Sequence, residues 1–271
     1  MAHTTIDGGA ATVPAAAPPG ISSRNAPRLG GFNATMLAIE LRRLLRNRRS
    51  MIFAVLMPVV FYFVFRSQSF DAGGGNTAAF VAISLGVYAA MVSTASVSSG
   101  VSVERSQGWS RQLRITPLSG TAYIVSKILV AMVMGLVSMG LVYAIAAATG
   151  AQMSASAWVE SFLLGWLGSM LMAAFGLMVG FLLPAENAMQ VMGMALTLLA
   201  FAGGVFIPQT VFSTGFDLFA RLTPMYGVTG LAHAPVLGWD HLGIWLLNIG
   251  AWAVIFVGAA VLLFRRDTKR V

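Results

Sequence analysis

AYIVSKILVAMVMGLVSMGLVYAIAAAT, residues 122–149, holds a single charge, Lys127, in 28 positions. An α-helix rises about 1.5 Å per residue, so roughly 20 apolar residues cross the hydrocarbon layer of a bilayer. This stretch is long enough to cross, and the chain around it repeats the pattern. Apolar runs also fill residues 51–65, 77–103, 158–183, 188–207 and 242–264. The first is short for a crossing and has Pro58 inside it. Arg49 and Arg66 stand at its ends, where long basic side chains snorkel to the headgroups. The six runs predict an all-α integral membrane fold, a six-span transmembrane domain over residues 51–264.

Composition excludes the alternatives. The 271 residues are 57% hydrophobic and only 10% charged, with mean hydropathy +0.79. A soluble domain carries about 25% charged residues to cover its surface, so a soluble enzyme and a disordered chain are both ruled out. Without cysteine, the chain has no disulfide scaffold, thiolate zinc site or cysteine nucleophile. A net charge of +8 would point to nucleic acid in a soluble protein. Here it follows topology, because basic residues collect on the cytoplasmic side of a membrane, and no nucleic-acid partner is expected. Counting crossings puts Arg24, Arg28, Arg42, Arg43, Arg46, Arg48 and Arg49 on one side. Arg105, Arg111, Arg114 and Lys127 join them, as do Arg265, Arg266, Lys269 and Arg270. Only Arg66 and Arg221 fall on the other side. The pattern predicts six spans in the cell membrane with both termini cytoplasmic.

Outside the spans the chain divides simply. Residues 1–31 are rich in Ala, Gly and Pro with no apolar run, and read as a disordered cytoplasmic tail. Across residues 32–50, Leu37, Leu41, Leu44 and Leu45 share one helical face, and Arg42, Arg43, Arg46 and Arg49 lie opposite. That amphipathic helix belongs at the cytoplasmic headgroups, as a topology anchor or a contact surface. Residues 208–241 are too apolar for a plain loop. Short re-entrant or interfacial helices are expected there, with an amphipathic loop on the outer leaflet as the other reading. Residues 265–271 form a basic cytoplasmic tail.

Several chemistries have no residues to support them. No GxxxxGK[ST] or GxGxxG occurs, so the chain cannot cradle a nucleotide through these loops. His3, His233 and His241 lie outside the apolar runs, which argues against a metal site and against a serine protease working at depth. The span interiors carry no charge, which counts against a proton relay. Hydroxyls at Ser93, Thr94, Ser96, Ser98 and Ser99 read first as packing surfaces and second as a substrate lining, and so do the small residues Gly165, Ser169, Ala173, Gly176 and Gly180.

The largest predicted cytoplasmic loop, ERSQGWSRQLRITPL at 104–118, is followed by Tyr123 and Lys127. Residues 105–115 predict a short helix with Trp109, Leu113 and Ile115 as apolar contacts and Arg111 and Arg114 as polar ones. Pro117 ends it, since the residue before a proline leaves the helical region. An interfacial turn would account for the helix but not for the whole pattern E-x-x-x-G-x-x-x-x-L-x-x-T-P-L-x-x-x-x-Y-x-x-x-K. That pattern resembles the signature between the second and third spans of type-2 ABC transporter permeases. The six-span order, the basic helix before it, and the late stretches Gly203-Gly204-x-Phe206-x-Pro208 and Leu222-Thr223-Pro224-x-Tyr226 extend the resemblance.

The resemblance implies a partner and a division of labour. A cytoplasmic ABC ATP-binding subunit would hold ATP and Mg, with no cofactor or metal on this chain and no catalytic residue. Its contacts would be the coupling-helix residues Glu104, Arg105, Gly108, Trp109, Arg111, Leu113, Arg114, Thr116 and Pro117. The interface helix would add Arg42, Arg43, Arg46 and Arg49. Phe206, Pro208, Phe219, Pro224 and Tyr226 would belong to an extracellular gate. A second permease, the same or a related one, would complete a path enclosed in membrane lipid. The loop at 184–187 has Glu186 and no basic residue, so a second cytoplasmic contact is not expected there. The function expected is outward transport of a hydrophobic drug, antibiotic or lipid-like molecule. An ATPase-independent secondary carrier and a membrane scaffold are the alternatives.

Overall fold

The computed structural model describes residues 34–46, 48–68, 73–108, 119–206, 208–209 and 212–269. The N-terminal tail and most of the 104–118 loop therefore lie outside the described residues.

The described chain is helical. Helices α1 (Ala34–Arg46) and α2 (Arg48–Phe65) lead into α3 (Thr77–Ser99) and α4 (Val101–Ser106). Then come α5 (Gly120–Ala148), α6 (Ala155–Gly168), α7 (Met170–Leu182) and α8 (Ala185–Ala202). The order closes with α9 (Thr214–Arg221), α10 (Pro224–Leu237) and α11 (Leu242–Lys269). Short polar side chains start the long helices. Asn76, Ser119 and Ser154 accept the amide N–H three residues on, at 2.9, 3.2 and 3.2 Å, filling donors that a helix N-terminus leaves open. Pro224 opens α10 where its missing N–H costs nothing, and Gly238, at φ +107°, closes it.

Two of the runs are built from paired helices. The α3–α4 pair is jointed at Gly100 and α6–α7 at Ser169, both in right-handed helical conformation. Thr77–Ser106, Gly120–Ala148, Ala155–Leu182 and Leu242–Asp267 are long and apolar enough to cross a membrane. The other two runs are weaker. The α2 run is short and holds Pro58, and α8 begins with Glu186, Asn187 and Gln190 in its first two turns.

Helix α3 is the axis of the body. It packs against α2, α5, α6, α7, α8 and α10, and is buried nearly all round. A helix apolar on every side belongs inside. Helix α11 is the opposite case, with Leu247 and Val254 each 75% exposed. The small residues make the inner contacts close. A Cβ on Gly176 would stand 2.3 Å from the Ala95 carbonyl oxygen, and one on Gly180 3.0 Å from that of Ser99. Hydroxyls join the same faces: Ser93 Oγ and Ser138 Oγ lie 2.6 Å apart, and Thr94 Oγ1 donates to the Ser169 carbonyl at 3.1 Å. In this chain those residues pack helices.

Residues 208–241 do form two short helices, yet they differ in kind. Helix α9 is exposed, with only Ala220 buried, whereas α10 is wedged among α3, α6, α8 and α11. That wedge corrects one expectation. His233 does lie outside the spans, but α10 carries it into the body. There its Nδ1 meets the Thr229 carbonyl at 2.9 Å, and its Nε2 meets Ser84 Oγ at 3.1 Å and the Phe80 carbonyl at 3.3 Å.

The α3–α7 contact has no room for a methyl group. Gly176→Ala should cost about 1–3 kcal/mol by overpacking, while Gly250→Ala, with no atom of the chain within 4 Å of its Cβ, should change little. Thermal unfolding in detergent compares them, and equal melting of both variants with the parent would refute the close contact.

Candidate functional site

Charges are scarce in this chain, and five of them converge at one end of the bundle. Lys127, about two turns into the long apolar helix α5, reaches two carboxylates, Glu40 of α1 and Glu104 of α4. Its side chain is 7% exposed and the acids 16% and 17%, so the cluster is largely out of water. Tyr123, one turn earlier on α5, donates its hydroxyl to the second Glu104 oxygen at 2.5 Å. The Tyr123 ring also lies 5.4 Å from the ammonium. Buried ions persist when each is paired, as here, although the second Glu40 oxygen is buried with no hydrogen-bond partner among the described residues.

Arg105, the next residue, makes the second half of the site. Its Nε and Nη2 hold both oxygens of Asp267 at 3.1 and 2.8 Å. Its Nη1 donates to the carbonyls of Gly180 and Phe181, at 3.0 and 2.9 Å. Those carbonyls belong to the last turn of α7, where a helix lacks its own donors, so the guanidinium caps α7 while pairing with α11. Only a planar fork of donors does both at once. Glu104 and Arg105 thus tie the end of α4 to α5, α7 and α11, and Lys127 extends the tie to α1.

Beside this clamp lies an open cleft of about 910 Å³, walled by Arg105, Gly108, Pro184, Glu186 and Asp267. The 184–187 turn, for which no second contact was expected, forms part of that wall. Among the described residues no group of three His, Cys, Asp or Glu could hold a metal ion.

The predicted site residues divide between those brought together and those not. Glu104, Arg105 and Gly108 stand at the clamp and cleft, but Arg105 belongs to the end of α4 and does not open a separate helix at 105. Gly108, at φ +77°, turns the chain out of α4. Among the described residues no atom lies within 4 Å of where its Cβ would be, so a larger residue there is strained by backbone conformation. Trp109, Arg111, Leu113, Arg114, Thr116 and Pro117 lie outside the described residues. Arg42, Arg43 and Arg46 are exposed on α1, and Arg49 falls in α2. At the other end, Phe206 sits among Phe61, Phe65, Tyr88 and Phe201 at ring distances of 4.7–6.5 Å, and Pro208 borders the same small cavity. Pro224 and Tyr226 are buried on α10, while Phe219 is 56% exposed on α9, apart from them.

Two residues of the clamp were passed over in the sequence, Glu40 and Asp267. Each is the lone acid in a basic segment, which is the signal that would have found it. Removing the shared base should expose their importance. Lys127→Met leaves two carboxylates facing each other with no counter-ion and should cost on the order of 3 kcal/mol. Replacing all three with Glu40→Leu, Glu104→Met and Lys127→Met should restore most of that loss. Chemical denaturation in detergent reads both, and a triple variant weaker than Lys127→Met would show that the pairing is not what matters.

The comparisons with known proteins meet this geometry along the same stretch of chain. The family model described as ABC-2 type transporter matches residues 33–234, from the start of α1 to within α10. A putative transport permease of Bacillus subtilis (strain 168), YvfS, is 26% identical over 192 residues, covering 69% of this chain and 78% of the relative. With that match over most of its length, and several helices long and apolar enough to cross a membrane, the chain belongs to the ABC-2 type transporter family as a multi-pass transport permease.

Proposed function

We propose that the chain is the membrane subunit of an ATP-driven exporter in the cytoplasmic membrane. It crosses six times, through α2, α3–α4, α5, α6–α7, α8 and α11, with both termini inside. The bias of 15 basic residues to one side supports that orientation. A cytoplasmic ATP-binding subunit, holding ATP and Mg, docks on residues 104–118 and on the cleft beside them, and the exposed Arg42, Arg43 and Arg46 of α1 extend its footing. Two permeases pair to enclose the path. The outer gate is formed by the Phe206 aromatic cluster with Pro208, together with α10 and its Pro224 and Tyr226. Phe219 on α9 lies at its rim. The cargo is a hydrophobic small molecule or a lipid-like one, consistent with 16 Met and 17 Phe in the chain, since such surfaces adapt to varied apolar shapes.

One observation carries this reading: Glu104 and Arg105, at the root of the docking loop, are bonded to three other helices, and through Lys127 to Glu40 of a fourth. A push on the loop therefore reaches α1, α5, α7 and α11 together. Glu104 and Arg105 transmit motion, and the loop beyond Gly108 makes the contact.

A second reading, a carrier working without an ATPase, has His233 in its favour, an ionisable group buried against Ser84 of α3. Transport that survives an ATPase-dead partner would select it.

Two variants separate docking from transmission. Trp109→Ala should lose the ATP-binding subunit on co-purification, since an aromatic anchor at an interface commonly contributes about 2 kcal/mol or more. Arg105→Lys should keep that subunit bound yet lose substrate-stimulated ATP hydrolysis, because lysine cannot bridge Asp267 and the α7 carbonyls together. Parent-like hydrolysis by both reconstituted complexes would remove this loop from the mechanism.

A further inference from the structure

Helix α9 has two unlike sides. Thr214, Asp217 and Arg221 fall on one arc of its eight residues and line an open cleft of about 450 Å³, within the size range of small-ligand sites. Phe216 and Phe219 occupy the opposite arc, Leu218 and the C-capping Leu222 lie between the two, and all four are exposed. That apolar arc continues a larger apolar surface. The Leu222 carbonyl accepts a hydrogen bond from Trp252 Nε1 of α11 at 3.0 Å, and α11 exposes Leu246, Leu247 and Val254. Trp239, partly exposed between α10 and α11, stands where indoles collect at membrane interfaces.

The cleft itself is aromatic and charged. Tyr226 and Trp245 are buried in its wall and Phe212 flanks them. Arg221 reaches Asp217 through Nε at 2.9 Å and Nη2 at 2.7 Å, both to the same oxygen, Oδ2. Asp217 Oδ1 takes no part in that pair. Asp240 is exposed, with Oδ2 turned toward Gly238, 3.5 Å from where a Cβ would stand, and no described cation lies within ion-pair distance of it. Two carboxylates against one guanidinium disfavour a plain anion. A plain cation would meet the Arg221 guanidinium, held in the same cleft by Asp217, as a like charge.

We infer that this cleft binds the zwitterionic headgroup of an aminophospholipid whose acyl chains lie along the apolar arc of α9. The ammonium sits between Asp217 and Asp240 against the Tyr226 and Trp245 rings, where carboxylate and π-face both attract it. The phosphate takes the outer N–H groups of Arg221. The placement of this end at the outer leaflet rests on the transporter topology proposed above; the recognition chemistry does not.

Delipidated protein in detergent, titrated with dioleoylphosphatidylethanolamine or dioleoylphosphatidylglycerol and read by native mass spectrometry, tests the site. Phosphatidylethanolamine should bind about tenfold more tightly, the usual scale for one charge-assisted hydrogen bond, and Asp240→Asn should erase that preference. Asp240 has no described structural partner, so this variant should fold. Equal affinity for the two lipids, or an undiminished preference in Asp240→Asn, would overturn the proposal. So would dodecyltrimethylammonium displacing the lipid equally from the parent and from Arg221→Gln, since no phosphate contact would then be needed. A disulfide between two copies of the Phe219→Cys variant, formed in lipid bilayers, would show a second copy covering α9 and also overturn it. Co-purification of Asp240→Asn with the ATP-binding subunit separates failure of this cleft from failure of the transporter reading.

Discussion

Burial of Lys127 constrains the rest of the structure more than any other single contact. An ammonium removed from water without a partner costs several kcal/mol, and this one lies about two turns into a helix otherwise built for hydrocarbon. It is tolerable only while Glu40 and Glu104 stay within reach, so α1 and α4 must both lie against the start of α5. Once α4 is there, Arg105 falls beside the end of α7 and Asp267 of α11. An electrostatic requirement at one residue thus fixes the relative positions of five helices.

Much of this body was legible in the sequence. Uninterrupted apolar length is a one-dimensional property, so the runs at 77–103, 122–149, 158–183 and 242–264 read out as long helices nearly where they stand. Small residues at a spacing of four predicted close packing, and Gly176 and Gly180 provide it. The runs at 51–65 and 188–207 were harder, because a short or polar-ended segment lies near the threshold at which length and hydropathy stop deciding. Three of the signature residues, Glu104, Tyr123 and Lys127, were recognised only as a pattern, and the fold gives the pattern its reason: they touch one another.

What the sequence hid were partners distant along the chain. Glu40 and Asp267 look like ordinary surface acids until α1 and α11 are brought to the clamp, 87 and 162 residues from their partners. His233 was hidden for a similar reason. No periodicity announces that a short helix between two spans will be wedged inward, yet Gly227, Gly230 and Gly168 let α10 approach its neighbours closely enough for this. Gly230 faces the Trp245 indole, and Gly168 faces Val228. Small residues signalled the approach, but not which element would use it.

The joint at Gly100 has a mechanical consequence. Between Ser99 and Val101 the second run changes helix, and a joint of that kind is ordinarily where a rod bends. Here it is splinted. Just before it, Ala95 and Ser99 press on Gly176 and Gly180 with no side chain between; just after it, Arg105 is bonded to the carbonyls of Gly180 and Phe181 on the same helix. Helix α7 therefore bridges the joint from both sides, and α3, α4 and α7 form one stiff member. Strain applied at Arg105 is not absorbed at Gly100. It travels the full length of Thr77–Ser106, about 45 Å at the helical rise, to the end where Phe80 and Ser84 meet His233.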